Sequence, residues 1–98
     1  MIGASQILAF ITRAKKITLK TPTQGRPFEC EADATGLYLK NSQGKPRKIG
    51  RAELEEFCKE YVKTGARTSS HYHAQTFNSS YLLAIVDAYE AEAQEKGA

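Results

Sequence analysis

The chain has no run of apolar residues approaching the roughly 18–20 that a membrane-crossing helix needs. Its first helical segment carries Arg13, Lys15 and Lys16 at its end rather than its beginning, unlike a secretory signal. A cytoplasmic protein with no membrane partner is therefore expected. Cysteine is scarce. Cys30 and Cys58 are the only two, nothing points to a secreted context, and both fall at inward positions, so reduced core thiols are expected rather than a disulfide. The sequence also lacks the short CxxC and HxxxH spacings that mark zinc sites. No glycine-rich elbow or orienting carboxylate accompanies its serines and histidines. No cofactor, bound metal or catalytic residue is expected on these grounds, and the chain reads as non-enzymatic. Internal repeats, linkers and low-complexity segments are missing too. At 98 residues one α+β domain spanning 1–98 is expected, too small for a deep cleft between two lobes.

What is present is ordinary in bulk and uneven in layout. A hydrophobic fraction of 41% and a charged fraction of 26% are those of a globular protein with one modest core. The net charge of +3 conceals a division near residue 51. Up to Arg51 there are ten Lys or Arg against Glu29, Glu31 and Asp33, a balance of +7. From Ala52 onward, Lys59, Lys63, Arg67 and Lys96 face eight acids, a balance of −4. Such asymmetry favours a polyanion or an acidic protein surface as partner of the first half.

Periodicity supplies the elements. Behind Ser5, the residues Ile7, Leu8, Ile11 and Ala14 recur at helical spacing, predicting an amphipathic helix over 5–15 with Ser5 at its cap. "ITLKT", "FECEA" and "LYLK" alternate apolar with polar and are separated by the turn-rich "PTQGRP", "DATG" and "NSQGKP". "RKI" offers a last short strand. Leu54, Phe57, Cys58, Tyr61 and Val62 then form the stripe of a second helix stopped by Gly65. A third helix is expected from Asn78 or Ser79, with Tyr81, Leu82, Ile85, Val86 and Tyr89 inward and Leu83 widening the stripe. Its pattern fades after Glu90, which predicts a frayed end. The expected fold is α+β: an N-terminal helix, a three- to four-stranded antiparallel meander and two C-terminal helices packed on one sheet face.

Two stretches carry candidate sites. The group "KNSQGKPRKIGR" places Lys40, Lys45, Arg47, Lys48 and Arg51 around a hairpin tip, with Lys20 nearby, so several cations can meet consecutive phosphates. Tyr38 on the outer sheet face can stack on a base. The second is the connection 66–78, at thirteen residues longer than the usual helix-to-helix link of roughly 2–8. With the start of the third helix it includes "RTSSHYHAQTFNSS", where Arg67, Ser69, His71, His73 and Ser79 can cradle a phosphate. His71 and His73, one residue apart, point the same way if the loop is extended. With an acid such as Asp33 they leave a metal-dependent nuclease as a remote alternative. Tyr72 and Phe77 read as anchors of the loop, Phe77 as a hydrophobic staple.

The element order is not that of a winged helix, the second helix is too acidic for a groove, and no RNP-type aromatics occupy two central strands. The expectation is a small module that binds nucleic acid through its basic sheet face and hairpin. A protein-interaction or inhibitor module using the same charged surfaces is the alternative. Self-association into a homodimer through an exposed edge strand also stays open.

Overall fold

A computed structural model describes residues 2–22 and 25–97 of the chain. The elements run α1 (Ala4–Ala14), β1 (Ile17–Lys20), β2 (Pro27–Asp33), β3 (Gly36–Asn41), β4 (Pro46–Gly50), α2 (Arg51–Thr64), a 3-10 turn (Ser69–Tyr72) and α3 (Ser79–Gly97). Thr23 and Gln24 of the expected β1–β2 turn, and Ala98 beyond α3, lie outside the described residues. The fold is α+β, with one antiparallel sheet in the order β1-β2-β3-β4. "RKI" proves to be the centre of a full fourth strand.

The register settles which side chains face the helices. Ile17 pairs with Cys30, Cys30 with Leu39, and Leu37 with Ile49, so these residues share the inner face, because partners in a pair point the same way. Phe28, Cys30, Leu37, Leu39 and Ile49 are all buried there. Each such fully buried Leu, Ile or Phe contributes about 1.5–3 kcal/mol relative to its exposure in water. At the β2–β3 turn, a Cβ on Gly36 would lie 2.3 Å from the Ile49 carbonyl oxygen, so the close approach of β4 requires glycine.

The helices all cover this one face. The stripe of α1 starts one turn earlier than Ser5 suggests: Ala4, Ile7, Leu8 and Ile11 are buried. Gly3 is its N-cap, without a side-chain cap, and Ser5 lies inside the helix, where its Oγ accepts from Arg51 Nη2 at 2.7 Å. On α2, Leu54, Phe57 and Cys58 are buried and Tyr61 is half-buried, but Val62 is 43% exposed. Gly65 closes that helix in the left-handed region, its N–H bonded to the Tyr61 carbonyl at 2.7 Å. On α3, Leu82, Leu83, Ala84, Ile85 and Val86 are all buried, because this turn is enclosed from several sides at once. The helix runs on to Gly97, past the fading of its apolar pattern, through Ala and Glu residues of high helix propensity.

The long connection is tied down. Tyr72 is fully buried, its ring 4.6 Å from Phe57, and its hydroxyl donates to the Ala66 carbonyl at 2.5 Å. Phe77 does the opposite. It stands 86% exposed and makes no staple.

Candidate nucleic-acid interface

The open sheet face carries charges of both signs in register. Glu29 sits between Thr18 and Lys40, and Glu31 is opposite Tyr38, which is opposite Lys48. Lys16 also reaches Glu29, at 3.4 Å. Tyr38 is partly covered: the Lys48 ammonium lies 5.3 Å from its ring centroid, and its hydroxyl contacts Thr35 Oγ1 at 3.0 Å. At the helix-α2 end of this face, Asp33 accepts from the backbone and hydroxyl of Thr35 at 2.8 and 2.6 Å. These hydrogen bonds hold its carboxyl below the usual range. Interleaved acids make this face a poor continuous track for phosphates.

The opposite end of the sheet differs. There the β1–β2 and β3–β4 hairpins converge with the start of α3 around a polar cavity of about 300 Å³. Arg26, Asn41, Ser42, Ser69 and Ser80 line it. Asn41 shapes the second hairpin, its Oδ1 accepting the N–H groups of Gln43 and Lys45, each at 3.0 Å, while Gly44 takes φ 79°. Lys20, Arg26, Lys40 and Lys45 stand on the two hairpins, and among the described residues none of them has an ion-pair partner. Elsewhere several cations are engaged, as in Arg13–Glu92 and Lys59–Glu56, while Lys15, Lys48 and Lys63 are scattered singly and also have no ion pair among the described residues. The N-terminus of the 19-residue α3 adds the positive end of its dipole to the same corner.

Several expected contacts lie elsewhere. Arg47 is opposite Leu39 and therefore on the helix side of the sheet. Its Nη1 donates to Asn78 Oδ1 at 2.8 Å and its guanidinium lies 5.4 Å from the Tyr81 ring centroid. Arg51 holds Glu55 at 3.1 Å and Ser5. Arg67 is bonded to Asp87 at 2.6 Å and to the Tyr61 hydroxyl at 3.1 Å. Burial first, then the neighbouring Glu90 carboxylate, pushes that Tyr61 hydroxyl up to about 12.

The 3-10 turn also undoes the expected pairing of His71 and His73, because a tight turn rotates alternate residues apart. His71 Nε2 lies 2.8 Å from Glu60 Oε2, whereas the His73 ring sits 6.4 Å from Phe77. Ser79 is buried and donates to the Ser69 carbonyl at 2.8 Å. Neither expected cap forms with its side chain: Asn78 is spent on Arg47 and on Glu53, its Nδ2 donating to Glu53 Oε2 at 2.9 Å. The Thr76 hydroxyl donates to the same carboxylate oxygen. Of the expected phosphate cradle, only Ser69 lines the polar cavity.

The network joining Arg47, Asn78, Glu53 and Thr76 was invisible in the sequence, because its members are up to 31 residues apart and none belongs to a motif. Asn41 had a local signal, the "NSQG" turn. Cys30 and Cys58 are free and buried, and burial pushes their thiols up to about 12 and about 11. Among the described residues no group of three or more His, Cys, Asp or Glu side chains is placed to hold a metal ion. Comparison with protein-family models, with curated proteins and with solved structures finds no match to this chain.

Proposed function

We propose that the chain is a nucleic-acid-binding module that grips phosphates at the hairpin end of its sheet, through Lys20, Arg26, Lys40 and Lys45, rather than along the whole length of the open face. One observation carries this reading. Arg26 lines a cavity of Ser and Asn side chains at the positive end of a long helix, Lys20, Lys40 and Lys45 stand on the two hairpins that border it, and among the described residues none of the four has an ion pair. Neutralising phosphates there releases counterions, and the helix terminus adds a fixed positive field. Lys48 and Tyr38 extend the surface at its margin. Arg51, Arg67 and His71 are given structural roles by their carboxylate partners.

Fluorescence anisotropy with labelled duplex DNA, single-stranded DNA and RNA tests this. With four phosphate contacts the logarithmic salt slope is about −3.6 on duplex and about −2.8 on single strands, so affinity falls roughly 50- to 150-fold between 50 and 200 mM salt. Reversing Arg26 and Lys45 together to Glu is expected to abolish binding. No binding of any nucleic acid at low salt would discard the proposal in favour of an acidic protein partner for the same corner.

A further inference from the structure

Next to the basic corner lies a second crevice, of about 390 Å³, lined by Glu53, His73, Gln75, Thr76, Phe77 and Asn78. Its features are unlike those of the first. Phe77 stands at its mouth 86% exposed, although the other described phenylalanines, Phe10, Phe28 and Phe57, are buried or half-buried. The His73 ring lies 6.4 Å from it at an interplanar angle of 41°, so two flat rings border one opening.

The lining holds two acceptors with no protein donor among the described residues, one of them buried. Glu53 Oε2 takes the Thr76 hydroxyl and the Asn78 amide, which leaves Glu53 Oε1 without a partner among the described residues. Gln75 Oε1 is buried with no hydrogen-bond partner, and satisfying such an atom is worth a substantial part of a buried hydrogen bond. A carboxylate repels phosphate, and unmet acceptors call for N–H donors. A flat ring that carries N–H donors on one edge meets both demands: it can stack on Phe77 while its edge turns toward Glu53 and, after a small rotation of the amide, Gln75.

We infer that this crevice receives one unpaired nucleobase with an amino edge, guanine foremost, whose adjacent N1–H and N2–H groups can serve Glu53 Oε1 and Gln75 Oε1. The inference rests on the phosphate-binding reading. Asn78 links the two places, since it lines this crevice, holds Arg47 of β4 at 2.8 Å and lies within one helical turn of Ser80 in the polar cavity. A backbone held at the hairpins can therefore drop a base beside it. Bases in a duplex keep their pairing edges occupied and cannot enter, so single strands are favoured over duplex.

The test uses labelled oligothymidylate carrying one central guanine, the same oligomer with thymine there, and a duplex, each titrated against the wild-type chain, Phe77→Ala and Phe77→Trp. The chain has no tryptophan, so Phe77→Trp introduces a single reporter whose emission a stacked base quenches. Phe77→Ala removes only an exposed ring and is expected to fold. The expected result is a loss of about tenfold in affinity for the guanine-bearing strand in Phe77→Ala, with duplex affinity unchanged. Quenching should be stronger with guanine than with thymine. If all three probes bind with a steep salt slope but Phe77→Ala changes nothing and Phe77→Trp is not quenched, the base pocket is refuted while the phosphate reading stands. If none binds at low salt, both fall.

Discussion

Arg47 separates a reading of charge from a reading of structure. By sequence it belongs to the basic hairpin; by register it faces the helices, where it bonds Asn78 at 2.8 Å and lies 5.4 Å from the Tyr81 ring centroid. Replacing it with Ala removes one exposed charged hydrogen bond, about 0.5–1 kcal/mol, and a cation–π contact of about 0.5–1 kcal/mol. A loss near ~1.5 kcal/mol corresponds to a fall in Tm of roughly 6–12 °C for a chain of this size. Lys45→Ala removes a cation with no ion pair among the described residues and should leave stability within about 0.5 kcal/mol of the parent, a shift in Tm of at most roughly 2–4 °C. Thermal unfolding by circular dichroism measures both, and anisotropy at low salt measures binding. The expected pattern is reciprocal: Arg47→Ala loses stability, Lys45→Ala loses nucleic-acid affinity. Equal melting of the two variants, with binding lost in Arg47→Ala to the same degree, would refute the structural assignment of Arg47.

Two further outcomes follow from the core. Gly36→Ala forces a Cβ to 2.3 Å from the Ile49 carbonyl oxygen, so denaturant unfolding should show a loss of about 1–3 kcal/mol, whereas an unchanged midpoint would mean that β4 is free to move. The thiols of Cys30 and Cys58 are pushed up to about 12 and about 11, so a thiolate-specific reagent at pH 8 should label neither in the native chain and both in urea. Because the unfolded thiols ionise near 8.5 and the folded ones do not, this contribution to stability is whole below that pH. It is lost as pH rises toward 12, which urea midpoints between pH 8 and 10.5 would register as a steady fall.

The periodic parts of the fold were legible. Alternation in "ITLK", "FECEA" and "LYLK" and the stripe of Leu54, Phe57 and Cys58 report burial directly, since each element shows one face to a shared core. The boundaries followed packing instead of local chemistry: buried Ala4 begins α1 ahead of Ser5, and Asn78 gives up its capping role to bind Arg47 and Glu53. Phe77 and Tyr72 were both read as anchors. Tyr72 is the one that packs, against Phe57, while Phe77 stays exposed, and the two residues have the same local signal in sequence. The pairing of His71 with His73 failed because a 3-10 turn replaced the extended chain that it assumed.

The charge asymmetry also changes meaning once folded. The −4 balance of the second half is spent largely on cations and hydroxyls inside the protein: Glu55 on Arg51, Asp87 on Arg67, Glu60 against His71, Glu90 on the Tyr61 hydroxyl, Glu53 on Thr76 and Asn78. Exposed pairs of this kind are worth little in stability, typically ~0–1 kcal/mol each. What they do is offset the charges of Arg51 and Arg67 at the surface. The outer face loses its remaining bias in the same way, through Glu29 beside Lys40 and Lys16. The residual positive potential is therefore concentrated at the hairpins. Within a Debye length of about 8–10 Å, Lys40 feels Glu29 across the strand pair, whereas Lys20, Arg26 and Lys45 have no ion pair among the described residues, so the field at this corner is set by the hairpin cations more than by the net charge of +3.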